Sequence, residues 1–212
     1  MRIFSFCLIL LLSACVTAPQ YREAGKGEGE LKASDVNFKV SGMLYRDPPD
    51  CVAVLPAVAT DQPEMAKMLS VALARHLGEK VDRVIFPRKR AAIEKRDGLD
   101  LSDKGDRRRF SYRTKCRFYA RAELYDLGDE FVGVFAEKHV GVRLDLMRFE
   151  DDEPMWQAAH TVWRADGGVP SSPLGLLGGF ASAARFKGDA EILPSLVDDA
   201  MRRMIRTLPP SI

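Results

Sequence analysis

The sequence has little of what a catalytic centre is usually built from. Its three histidines, His76, His139 and His160, lie too far apart for a metal-binding pair set one helical turn apart. It has no Gly-rich phosphate loop, no nucleophile elbow and no Cys-x-x-Cys pair. Carboxylates are plentiful but gather in turns such as Glu150-Asp151-Asp152-Glu153, where solvated charge is the ordinary reading. No catalytic residue, metal or cofactor is therefore expected, and an enzyme stays open only if residues converge from distant positions. Charge of one sign is lacking too. With 32 Lys and Arg against 30 Asp and Glu, the net charge is +2, and nothing points to a nucleic-acid binder. No apolar run reaches the roughly 20 residues that a membrane-spanning helix needs.

The first fifteen residues are the most informative stretch. Arg2 precedes an apolar run from Ile3 to Leu12, and Leu12-Ser13-Ala14-Cys15 follows, which is the layout of a secretory signal. The Leu-Ser-Ala-Cys ending resembles the bacterial lipoprotein signal. The resemblance implies that residues 1–14 are a signal peptide and that Cys15 becomes the lipidated N-terminus, bearing fatty acyl chains such as palmitate. One acyl chain binds a membrane marginally, whereas the two or three of a lipoprotein hold stably. The alternatives are a buried helix, or a signal cut after alanine with Cys15 free; the polar, Gly-rich sequence that follows argues against the helix. Val16, not Asp, takes the second mature position, and in the sorting rule that comes with the resemblance this favours the outer membrane, with the domain facing the periplasm.

Cleavage removes Arg2, leaving a net charge of +1, and also removes Cys7. Cys51 and Cys116 then remain in a compartment that permits disulfides. Both open predicted strands, and parallel neighbours would place them at one end of the sheet within bridging distance. The alternative is two thiols on strands that do not meet.

Residues 15–34 are polar and broken by glycine, and they read as a flexible tether with a coil span of about 25 Å. Residues 35–212 read as a single α/β (α+β) domain. Val36, Phe38 and Val40 alternate as an edge strand, and Cys51 to Pro56 is apolar throughout, as in a strand covered on both faces. Asp61-Gln62-Pro63 opens a helix that ends at Gly78, and Val81 to Phe86 returns as a second strand, giving a parallel strand-helix-strand start. A short helix over Arg88 to Arg96 carries Ala91, Ala92 and Ile93 inward, and a second begins at a Ser102 cap. Cys116 to Tyr125, Phe131 to Leu146 and Met155 to Arg164 suggest an antiparallel meander, with a break at Gly128-Asp129. Leu193, Leu196, Val197, Ala200, Met201, Met204, Ile205 and Leu208 fall on one face of a final helix. The expected fold is thus a mixed sheet with helices packed on it.

Two features suggest binding. Arg88-Lys89-Arg90 with Lys95-Arg96, and Arg107-Arg108-Arg109 with Arg113, Lys115 and Arg117, flank one loop. They form either a cationic patch for lipopolysaccharide phosphates, anionic lipid or an acidic partner, or two solvated helix faces balanced by Asp97, Asp100, Asp103 and Asp106; the second reading is preferred. Residues 174–184 are apolar and rich in small residues, with Leu174, Leu176, Leu177 and Phe180 as candidate interface residues. The stretch either packs on its own sheet beside the final helix or makes a self-contact or partner contact.

Val52-Ala53-Val54-Leu55-Pro56 at the domain start, Arg143-Leu144-Asp145-Leu146 in the meander, Trp156 in the next strand, and a Gly-rich apolar stretch before the last helix together resemble a known group. They are similar to outer-membrane lipoproteins of the curli-secretion and penicillin-binding-protein-activator type, above all to their small relatives. That resemblance implies a mixed sheet and a role exercised by binding, in secretion-pore assembly or in activating a cell-wall synthase. The chain departs from the curli-secretion pattern in having no obvious paired membrane hairpins. The expected partners are the membrane through the lipid anchor, an envelope protein and a second copy in a homo-oligomer. An envelope enzyme such as a cell-wall hydrolase is the alternative.

Overall fold

A computed structural model describes residues 19–25, 35–132, 135–167, 182 and 184–210. Cys15, Leu174, Leu176, Leu177 and Phe180 lie outside the described residues. Seven strands form one mixed sheet: β1 (Tyr21–Glu23), β2 (Val36–Val40), β3 (Cys51–Val54), β4 (Arg83–Ile85), β5 (Phe118–Val132), β6 (Phe135–Arg148) and β7 (Pro154–Gly167), in the spatial order β1-β2-β7-β6-β5-β3-β4. The helices with both ends among the described residues are α1 (Gly42–Arg46), α2 (Pro63–Leu77), α3 (Pro87–Asp97), α4 (Lys104–Thr114) and α5 (Ile192–Ile205).

The expected parallel start is present, since β3 pairs in parallel with both β4 and β5. All four residues of β3 are buried, as a strand with neighbours on both sides and helices on both faces requires. β5, β6 and β7 form the antiparallel meander, and they are long, at 14 or 15 residues each. Phe118, Ala120 and Ala122 on β5 and Val140, Val142, Leu144 and Leu146 on β6 point to one face. There they join Leu69 and Leu73 of α2 and Leu196, Val197, Ala200, Met201 and Met204 of α5 in the main core. Among the described residues, helices cover the opposite face towards the β3–β4 side. There Ile93 of α3 and Phe110 of α4 pack on Cys51, Ala53, Leu55, Tyr119 and Phe149 in a second core.

Several local expectations change. Tyr21–Glu23, inside the stretch read as a flexible tether, is strand β1; it pairs in parallel with β2, so β2 is not the edge of the sheet. The backbone hydrogen bonds from Val36 N–H to the Gln20 carbonyl and from Ala24 N–H to the Phe38 carbonyl extend that pairing. The break at Gly128-Asp129 does not exist. β5 runs straight through, and Gly128 stands there because the His139 ring from β6 lies over it, where a Cβ would come within 2.0 Å of the imidazole. Gly141 likewise makes room for the Tyr125 ring, which would be 2.7 Å from a Cβ. Only Ile93 of α3 turns inward, while Ala91 and Ala92 are exposed on its solvent side. Asp103, not Ser102, caps α4, its carboxylate accepting from the Asp106 N–H at 2.9 Å. Gln62 takes the cap position of α2 without a side-chain bond, and Asp61 before it has φ 57°.

Candidate functional site

Cys51 and Cys116 are joined in a disulfide with Cα atoms 5.1 Å apart. The β3–β5 register, with Val52 opposite Phe118, brings the two strand openings to the same end of the sheet. This end also holds the α4 C-terminus and the turn between β6 and β7. At this end opens a cleft of about 750 Å³ lined by Asp47, Arg108, Ser111, Tyr112, Lys115, Arg117, Arg148, Phe149 and Glu150. A second cleft, of about 620 Å³, shares Arg108 and Tyr112 and adds Arg109, Arg113, Leu99 and Asp97.

The cleft is built upward from aromatic packing. Phe149 is buried at its base, with its ring centroid 4.8 Å from that of Tyr119 and 5.8 Å from that of Phe110. Beneath it, the Tyr119 hydroxyl donates to Asp152 at 3.0 Å, and Arg107 donates to the same carboxylate at 2.9 Å. Burial and the bond to Asp152 push Tyr119 up to about 12. For Asp152, burial works against the charge, but the bonds from Arg107 and Tyr119 prevail and hold it below the usual carboxylate range.

The basic clusters prove largely balanced, though by a wider set of acids than the sequence suggests. Arg117 makes a two-pronged bond to Asp47 at 2.6 and 2.8 Å, and Arg108 donates twice to the Glu150 carbonyl. Asp97 accepts from Arg96 and Arg113; the Arg96 bond lowers its pKa most and Arg113 adds to the effect. Arg148 holds Asp151 down to about 2. Arg90 pairs with Glu94, and Arg109 with Asp106. Asp100 and Asp103 instead cap backbone, Asp100 accepting from the Ser102 N–H at 2.9 Å.

What remains facing solvent is an aromatic ring between cations. Tyr112 is 89 % exposed, with Arg108 and Arg109 on the same helix and Lys115 just beyond it. Four cationic side chains, Arg108, Lys115, Arg117 and Arg148, outnumber the two carboxylates, Asp47 and Glu150, around the first cleft. Such a surface can stack a planar group or cover aliphatic stems on the ring while the cations meet an anion.

The histidines go elsewhere. His76 is buried at the end of α2, where its Nε2 lies 2.7 Å from Asp198 of α5, a packing role across two helices; Arg75 meets the same carboxylate. His160 is buried between β2 and α5, and His139 lies beside Asp126 at 3.2 Å. Among the described residues no cluster of His, Cys, Asp and Glu could hold a metal ion, and no helix is long and apolar enough to cross a membrane. Within the stretch 174–184, Ser182 donates to Asp166 of β7, and just beyond it the Lys187 ammonium lies over the Phe131 ring of β5.

No protein-family model matches the sequence, and no curated protein matches it. Solved structures do match the fold. One is a PelC dodecamer from Paraburkholderia phytofirmans, at a TM-score of 0.50 and 14% identity, covering 84% of this chain and 98% of that one. Another is lipoprotein GNA1162 from Neisseria meningitidis, at 0.45 and 12% identity over 66% of this chain and 99% of that one. A third is a minor lipoprotein from Acinetobacter baumannii, at 0.35 and 8% identity over 77% and 96%. At such identities the likeness concerns the fold alone.

Proposed function

We propose that the chain is a periplasm-facing outer-membrane lipoprotein, anchored through Cys15, that acts as a non-catalytic binding and assembly module of the cell envelope. This is the role implied by the resemblance to curli-secretion and penicillin-binding-protein-activator lipoproteins. The observation that carries it is the exposed Tyr112 between two clefts rimmed by Arg108, Arg109, Lys115 and Arg117, a docking surface suited to an acidic segment of an envelope protein. The reading is supported by the fact that His76, His160 and Asp152 are each spent on contacts between elements.

The test is crosslinking in the intact envelope followed by recovery of the lipoprotein. Tyr112→Ala touches a side chain with little packing, so stability should stay within about 0.5 kcal/mol while the crosslinked partner is lost, as it should be at high salt. The same partners recovered at unchanged yield would remove the cleft from the argument. Turnover of peptidoglycan by the purified protein, dependent on one carboxylate or histidine, would favour the hydrolase instead.

A homo-oligomer is a second element of the proposal, and the likeness to a chain solved as a dodecamer favours it. Native mass measurement of the detergent-solubilised lipoprotein is the direct check.

A further inference from the structure

Strand β1 shortens the link to the membrane and gives it a direction. Tyr21 is paired into the sheet, so five residues lie between it and Cys15, and the six steps of chain can span at most about 20 Å when fully stretched. β1 runs parallel to β2, and β2 antiparallel to β7, so the N-terminal end of β1 points the way β7 runs. Tyr21 sits opposite Val36, one step from the Asn37–Ala159 pair. From that level β7 continues through residues 161–167, roughly 23 Å at about 3.3 Å per residue. The outer end of the meander therefore projects towards the membrane about as far as the leash can reach.

That outer end exposes aromatic surface on one face. Strand alternation puts Trp163 and Thr161 of β7 on the same side as Phe135, Glu137 and His139 of β6, opposite to the buried Val140, Val142 and Val162. Trp163 is 52 % exposed, Phe135 41 % and Tyr125 43 %. The Tyr125 hydroxyl meets Thr161 at 2.8 Å, which fixes its ring on this face. Among the described residues, the helices on this side of the sheet, α3 and α4, lie at the far, β3–β4 end.

Resting on the Cys15 anchor, we infer that this open face of the outer meander leans on the bilayer, with Trp163 and Phe135 seated among the lipid headgroups. The amphipathic Trp163 ring favours that layer, where one part is apolar and another wet, and the wholly apolar Phe135 ring adds buried area beside it. Asp126, Glu130 and Glu137 share the face, so the contact is driven by aromatic partition and not by attraction to anionic lipid. The lipoprotein is then held at two points, and the Tyr112 clefts at the opposite end of the strands are turned away from the membrane.

Tryptophan fluorescence of the full lipidated protein in phosphatidylethanolamine-rich vesicles tests the contact, because Trp156 is buried and Trp163 is exposed. In vesicles with brominated acyl chains, Trp163 emission should be quenched and shielded from aqueous iodide, and Trp163→Phe should abolish both effects. Raising the anionic lipid fraction should not strengthen them. Protein that floats with vesicles while Trp163 stays unquenched and open to iodide overturns the docking but leaves the anchor standing. Protein that does not float overturns both. Shielding from iodide without quenching by the brominated chains assigns the face to a second copy and also overturns the lipid contact.

Discussion

At the scale of single residues, the chain is held by a few long-range contacts at the end of the sheet that carries the clefts. The Cys51–Cys116 bridge closes a loop of 65 residues that contains α2, β4, α3 and α4. In the chain-entropy account, closing a loop of that length removes about 4 kcal/mol of freedom from the unfolded chain. That is a large share of the 5–15 kcal/mol that typically separates folded from unfolded domains. A Cys51→Ala, Cys116→Ala variant should therefore melt well below the parent under non-reducing conditions, and reductant should lower the parent towards the variant and leave the variant unmoved. Alkylation before reduction should label neither Cys51 nor Cys116 in the parent. The pairing was half readable from the sequence, because each cysteine opens a predicted strand in a compartment that permits disulfides; that β3 and β5 are parallel neighbours is seen only in the sheet. The role of Gly128 was not readable. A glycine followed by an aspartate looks like a turn, and only the β5–β6 register, with His139 directly opposite, shows it as a place where a ring crosses a neighbouring strand.

At the scale of elements, the longest periodic segments were the most legible. α2 and α5 carry their apolar residues at helical spacing over 15 and 14 residues, enough for the pattern to outweigh local noise. The short elements were harder. β1 is three residues long, with Tyr21 45 % exposed, and has no apolar alternation to announce it; its stability comes from hydrogen bonds to β2, a neighbour thirteen or more residues away. The clefts were half legible. Their cations stand out in the sequence, but the approach of the Glu150 turn to α4 and of Asp47 to Arg117 is a product of chain return over 40 residues and more. α5 also bears a test of its own. Leu196 is 2 % exposed on the buried face of the helix, and Trp156 of β7 donates through its indole N–H to Thr207 just past the end of α5. Leu196→Ala should cost about 2–5 kcal/mol through lost burial and a residual cavity, whereas Arg206→Ala on the exposed face should stay within about 0.5 kcal/mol. Urea denaturation of the two variants, read by Trp156 fluorescence, separates them; equal midpoints would mean that α5 does not seal the core.

At the scale of the whole molecule, the buried His160 ties three parts of the fold to pH. Its ring lies between β7, the residue before β2, and α5. The Nδ1–H donates to the Asp35 carbonyl at 3.2 Å, and Nε2 accepts from the Arg203 guanidinium at 3.4 Å. Both ring nitrogens are thereby used by a neutral imidazole, and a proton on Nε2 would face the Arg203 donor. Burial lowers the His160 pKa most; the Asp35 carbonyl opposes the shift, Arg203 adds to it, and Asp199 and Asp35 oppose it, with Asp199 and Asp35 themselves paired to Arg203 and Arg22. The sign follows from proton counting. As pH falls through the ordinary histidine value of about 6.5, the unfolded chain takes up a proton that the folded chain refuses, so stability is lost on the acid side and is full above that value. The melting temperature should fall between pH 7 and pH 5, before the carboxylate pairs at Asp151, Asp152 and Asp198, held below their ordinary range, begin to yield at lower pH. His160→Gln removes the titrating group while keeping a side chain that can donate and accept. Its melting temperature should be lower than the parent's at pH 7 but nearly flat from pH 7 to 5, and a parent curve that is equally flat over that interval would show that His160 does not govern the acid response.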